Sequence, residues 1–116
     1  MTRQDLISYC LTFPGAYEDY PFDGGLTDES ATAVLRHRAN KKIFALLMNH
    51  GQELYINLKC DPREADFLRQ TFAGVLPGYH MNKEHWNTVV IGSDVPEEEI
   101  RRQIQLSFDL TKRSFA

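Results

Sequence analysis

A small α+β domain, in which one antiparallel sheet carries its helices on a single face, is predicted by three features of this chain. Its 116 residues are the size of one domain and can close one hydrophobic core. Its clearest strands follow one another through very short turns, as an antiparallel meander requires. Each of its later helices begins at an acidic residue followed closely by proline and glutamate. The resulting order, α-β-β-β-α-β-β-α, is that of a two-layer sandwich with a five-stranded antiparallel sheet. One face of that sheet is then left to water or to a partner.

The first helix opens at Thr2, with Asp5 three residues on in a capping-box arrangement, and Leu6, Cys10 and Phe13 share a face. Pro14-Gly15 stops it. An acidic, aromatic stretch follows from Ala16 to Gly25 and reads as a loop whose aromatic residues cover the core. Thr32 to Arg38 forms a strand, Asn40-Lys41-Lys42 a tight turn, and Ile43 to Asn49 a second strand that is apolar on both faces and hence central. Beyond Asn49-His50-Gly51 a third strand alternates. Leu54, Ile56, Leu58 and Cys60 point one way, and Tyr55, Asn57 and Lys59 point the other, towards solvent.

Asp61-Pro62-Arg63-Glu64 starts the second helix, with Ala65, Leu68 and Phe72 on its buried side and Gly74 placed to end it. Tyr79 to Asn82 and Trp86 to Ile91 read as two further strands around Lys83-Glu84-His85. Asp94-Val95-Pro96-Glu97 caps the last helix. Ile100, Ile104, Phe108 and Thr111 form its stripe, and Glu97–Arg101 and Glu98–Arg102 are spaced to pair.

Composition narrows the function classes. Hydrophobic residues at 42% and charged residues at 25% argue against disorder. No apolar run approaches the roughly 18 to 20 residues that span a bilayer, so no membrane partner is expected. Asp5 precedes any apolar stretch, which argues against a secretory signal and for a cytoplasmic protein. Cys10 and Cys60 lie far apart with no metal or disulfide pattern and read as two buried thiols in a reducing compartment.

Several stretches resemble the MmcQ/YjbR family, in that family's order and over most of the chain. They are Phe13-Pro14-Gly15-Ala16, Tyr20-Pro21-Phe22, Asn40 to Leu47, Leu58 to Pro62 and Pro77 to Thr88. The last is the most specific, being long, rich in polar residues and unexplained by secondary structure alone. The resemblance implies a frataxin-like (CyaY-like) α/β sandwich and a DNA-binding role through a pair of hairpin wings.

Two segments are candidates for such wings. Between Glu29 and Glu53 the chain carries no acidic residue, yet it carries Arg36, Arg38, Lys41 and Lys42 together with His37 and His50. Cations on a hairpin tip can hold phosphates and release counterions. The plainer alternative is a solvated turn. The second segment offers His80, Asn82, Lys83, His85 and Asn87, types that read base edges or hold phosphate. These polar residues equally suit an irregular connection around an ordinary core Trp86. A third candidate, the strand face of Tyr55, Asn57 and Lys59, could stack a single-stranded base, though a routine exposed strand is the simpler reading.

Net charge −3 sets the nucleic-acid reading against a rival, a protein-interaction or chaperone-like module. A metal or small-molecule pocket around His80 and His85 trails both, because their five-residue spacing fits no common ligand pattern. Iron, suggested by the frataxin-like fold, would need an acidic ridge. Glu18, Asp19, Asp23, Asp28 and Glu29 lie instead in a glycine- and proline-rich loop. No serine sits in a nucleophile elbow and no phosphate-binding loop follows Gly24-Gly25, so neither enzymatic activity nor a cofactor is expected. The chain is expected to be a monomer.

Overall fold

Thr2 begins the first helix as its sequence predicts, and both halves of the capping box form in the computed structural model, which describes residues 1–22 and 30–112. The Asp5 amide donates to Thr2 Oγ1 at 3.1 Å, and the Thr2 amide donates to Asp5 Oδ2 at 2.8 Å. Helix α1 runs Arg3–Leu11 and buries Leu6, Ile7 and Cys10. Beyond it the chain departs from the predicted loop. Ala16–Asp19 forms an edge strand, β1, antiparallel to β2 (Ala33–His37). This strand makes the sheet six-stranded rather than five-stranded. Its four residues lack the β-branched character that marks a strand in isolation, so long-range pairing with β2 defines it. Tyr20 packs on the core as expected, whereas Phe22 is 65% exposed. The remainder of the acidic stretch, including Asp23, Gly24, Gly25, Asp28 and Glu29, lies outside the described residues.

The meander of β2, β3 (Ile43–His50) and β4 (Glu53–Lys59) follows the predicted order. The pairs Leu35↔Ala45 and Arg36↔Ile43 leave Phe44 as the extra residue of a β-bulge. The bulge lets Phe44 and Ala45 both enter the core. Phe44 stacks on Phe13 at 6.1 Å and meets Phe108 edge-on at 5.1 Å.

Helix α2 (Pro62–Thr71) starts under Asp61, whose carboxylate accepts from the Arg63 amide at 3.0 Å. It ends at Phe72 rather than at Gly74. The predicted strand Tyr79 to Asn82 is displaced: β5 is Val75–Pro77, paired with β6 (Trp86–Val90). Residues 78 to 85 are turns and bends instead, for two reasons. His80 adopts φ +60, which no strand tolerates. A Cβ on Gly78 would lie 2.8 Å from Trp86 Cβ and 2.9 Å from Trp86 O, so only glycine lets the two backbones close up there.

Helix α3 (Glu97–Thr111) buries Ile100, Ile104, Phe108 and Thr111 as predicted. Asp94, however, does not cap it. Its two carboxylate oxygens accept from the Ala73 and Gly74 amides, both at 2.8 Å, and those bonds hold its pKa below the usual carboxylate range. The Glu97–Arg101 pair forms at 3.7 Å. Arg102 turns from Glu98 to Glu99 at 2.7 Å and to Glu64 at 2.8 Å, which links α3 to α2.

The sheet order is β1-β2-β3-β4-β6-β5, antiparallel throughout. One apolar cluster joins Leu6 and Cys10 of α1, Leu68 of α2 and Ile104 of α3 to Leu35, Leu47, Ile56 and Val89 of the sheet, so all three helices pack on one face. The opposite face is covered along β4 and not fully open as expected. Tyr55 and Asn57 are buried, with Asn57 donating to Tyr79 O at 3.3 Å and accepting from the Thr88 hydroxyl. Tyr79 packs edge-on against Tyr55 at 5.9 Å, and His50 stacks on the same ring at 4.8 Å. Among the described residues no helix is long and apolar enough to cross a membrane.

His37 fastens the β2–β3 hairpin to α3. The Thr111 hydroxyl donates to Ser107 O, so Nε2–H of His37 is left to donate to Thr111 Oγ1 across 2.7 Å. Burial beside Phe44 and Phe108, with Lys112 and Lys42 nearby, lowers the imidazole pKa from its ordinary 6.5. As pH falls the unfolded chain takes up that proton first. The stability His37 contributes is therefore complete above the ordinary value and lost as pH drops through the depressed one. Melting temperatures read from pH 7.5 to 5.5 should fall with acidification, and His37→Gln should flatten that slope.

Candidate nucleic-acid interface

The four hairpin cations have different surroundings. Arg36 Nε donates to Asp19 Oδ2 at 2.9 Å and Nη1 donates to Lys41 O at 2.9 Å, so its charge is already paired. Arg38 lies over the Tyr17 ring, 5.3 Å from its centroid. Lys41 and Lys42 are exposed at the turn, where Lys41 adopts φ +63 and Asn40 Oδ1 accepts from the Lys42 amide at 2.8 Å. Asn40 Nδ2 donates to Thr111 O at 3.0 Å. With the His37 contact, this pins the turn against the end of α3. The hairpin is thus a fixed corner of the molecule and not a free-standing ribbon.

The second segment is built mainly to hold itself. Asn87 is 1% exposed; its oxygen accepts from Arg69 Nε at 2.7 Å and its amide donates to Ala65 O at 3.3 Å. It supports the segment from inside and presents nothing to a ligand. Asn82 Oδ1 accepts from the Glu84 and His85 amides, and the Lys83 ammonium donates to Gly78 O at 2.9 Å. His85 is half-buried, its carbonyl accepting from the Cys60 amide at 2.8 Å. His80 is exposed, its ring 4.0 Å from that of Tyr79.

Two clefts organise these residues. At the end of the sheet, Arg36, Lys41, Lys42 and Ile43 line a cleft of about 330 Å³ together with Lys59, Trp86, Leu110 and Thr111, and none of these lining residues is acidic. The Lys59 ammonium lies 5.5 Å over the Trp86 ring. Lys59 and Leu110 were missed as partners of the hairpin. The signal for Lys59 is register: Ala45 faces Leu58 in the meander, so the start of β3 and the end of β4 share one end of the sheet. Nothing in the sequence brings Leu110 there.

The second cleft, about 350 Å³, is mostly apolar and lined by Phe22, Thr32, Leu46, Met48, Tyr79, His80 and Met81. His80 therefore belongs to a different concavity from the hairpin, and His85 to neither. Among the described residues no three His, Cys, Asp or Glu side chains are placed to share a metal ion.

An open six-stranded antiparallel sheet backed by three helices defines the class of this protein as α+β. The YjbR family model matches residues 11–110, and the chain belongs to that family. It is 39% identical over 122 residues to the uncharacterised protein YyaQ of Bacillus subtilis, covering 97% of this chain and 99% of YyaQ. It is 31% identical over 108 residues to the uncharacterised protein YjbR of Escherichia coli, covering 93% of this chain and 85% of YjbR. Two crystal structures superpose closely. A Pseudomonas syringae protein gives a TM-score of 0.82 at 36% identity, covering 96% of this chain and 99% of that one. A Deinococcus radiodurans protein gives 0.83 at 35% identity, covering 99% of this chain and 82% of that one.

Proposed function

We propose that this protein is a non-enzymatic, cytoplasmic nucleic-acid-binding or regulatory accessory protein that contacts its partner through the basic end of its sheet. The observation that carries this reading is the gathering of Lys41, Lys42 and Lys59, beside the Asp19-paired Arg36, around one cleft with no acidic lining, in a chain whose net charge is −3. Charge concentrated against the overall balance favours a polyanion at that place. The buried, unpaired thiols of Cys10 and Cys60 suit a reducing compartment. The helices on one face suit a frataxin-like arrangement, and in the double-wing description the hairpin serves as the first wing. The segment from His80 to His85 is the weaker second wing, since Asn82 and Lys83 are engaged within it.

The test is a titration of isotope-labelled protein with a short duplex and a short single strand at two salt concentrations, following each backbone amide. Shifts centred on residues 36 to 42 and 59, weakening as salt rises, are expected. Lys41→Glu with Lys42→Glu should lower affinity by about tenfold or more and reduce the salt slope by about 2, with the melting temperature unchanged. No response at low salt would overturn the reading. It would leave the rival, a protein-interaction module, for which the specific observation is Phe67, 65% exposed on α2.

A further inference from the structure

The basic cleft is not uniformly polar. Leu110, on the last turn of α3, is 50% exposed and sits on its wall with Ile43 and Trp86. A surface that only grips a duplex backbone needs cations on an accessible rim, since duplex bases stay stacked away from it. A hollow that adds an exposed leucine and a partly exposed isoleucine to those cations, above a largely buried tryptophan, offers apolar area that phosphate cannot use. Its volume of about 330 Å³ lies at the small end of ligand pockets. A base can enter such a hollow only when it is unstacked, which is the usual condition of single-stranded segments.

Resting on the nucleic-acid reading above, we infer that the cleft between the Lys41–Lys42 turn and Leu110 holds one unstacked nucleotide of a single strand. Lys41 and Lys42 meet the flanking phosphates. The base lies against Leu110 and Ile43, with the Lys59 ammonium and the Trp86 ring at its inner edge. The hairpin is held to α3 by His37 and Asn40, so the two walls of the cleft keep a fixed separation before any strand arrives.

Trp86 is the only tryptophan of the chain and so reports on its own cleft. The protein is titrated at low salt with a twelve-nucleotide thymidine strand, with the same strand paired to its complement, and with an abasic strand of equal charge. Binding is read by anisotropy of the labelled strand and by Trp86 fluorescence. The single strand should bind on the order of tenfold more tightly than the duplex or the abasic strand and should change Trp86 emission. Leu110→Ala should weaken single-strand binding about five- to tenfold without altering the salt slope, and melting should confirm its fold.

Duplex binding as tight as single-strand binding, abolished by Lys41→Glu with Lys42→Glu but indifferent to Leu110→Ala, would overturn this inference and leave the nucleic-acid reading intact. So would equal binding of the abasic strand, or tight single-strand binding unaffected by Leu110→Ala. Absence of binding by all three probes would overturn both.

Discussion

Replacing Phe44 with alanine should cost the fold about 3–5 kcal/mol, the range for deleting a fully buried aromatic side chain. Phe44 has no exposed surface and is among the largest fully buried side chains. Its ring meets Phe13 after α1, His37 on β2 and Phe108 on α3, so the vacated space opens where three parts of the chain converge. The bulge fixes its position in β3, and neighbouring side chains cannot slide along the strand to fill the gap. Domains of this size are held by only about 5–15 kcal/mol, so a large share of the stability goes. Urea unfolding should show a much lower midpoint with an unchanged slope. Phe67→Ala, at a side chain 65% exposed, should stay within about 0.5 kcal/mol of the parent. A loss below about 1 kcal/mol at Phe44 would mean that the aromatic cluster does not carry the packing described above.

Arg69→Met should cost the fold about 2–4 kcal/mol, although the side chain is partly exposed. The guanidinium donates to three acceptors on one stretch: Lys83 O, Trp86 O at 3.2 Å and Asn87 Oδ1 at 2.7 Å. Removing it leaves the oxygen of an almost fully buried Asn87 without its donor, and methionine supplies none. The damage should be local before it is global. Amides from Lys83 to Asn87 should exchange with solvent far faster, while those of β3 keep their protection. Uniformly faster exchange across the sheet would show instead that Arg69 supports the whole fold.

What the sequence disclosed was chiefly local chemistry. The Thr2–Asp5 box, the Asp61-Pro62 start, the strand character of β4 and the stripe from Ile100 to Thr111 each declare themselves within a few residues. What it concealed was settled at long range. β1 is a strand because β2 pairs with it; its own composition reads as a loop. Asp94 sits where a helix cap is expected, yet it serves amides about twenty residues earlier in the chain. Asn57 has the polarity of a solvent-facing residue and finds its partners in Tyr79 and Thr88 instead.

The candidate interface divides in the same way. The basic character of residues 36 to 42 is visible in the sequence, but the pairing of Arg36 with Asp19 is not. Asn87 looked available because no pattern announces that Arg69 will reach it. The arrival of Lys59 and Leu110 beside the hairpin depends on sheet register and helix packing, which no short motif encodes.

The two thiols carry a consequence for how this molecule can be watched in time. Burial pushes Cys10 up to about 12 and Cys60 up to about 11, with the nearby carboxylates of Glu64 and Asp61 adding to the second. Only a thiolate reacts readily with an alkylating reagent, so the native protein should resist labelling at neutral pH. Once the chain opens, both sulfurs regain ordinary acidity and mark themselves. Cys10 sits in α1 and Cys60 just after β4, so mass spectrometry of the labelled peptides becomes a two-channel stopwatch. Equal rates at both would record the helix and the sheet coming apart in one event, and a faster Cys10 would record α1 peeling away first.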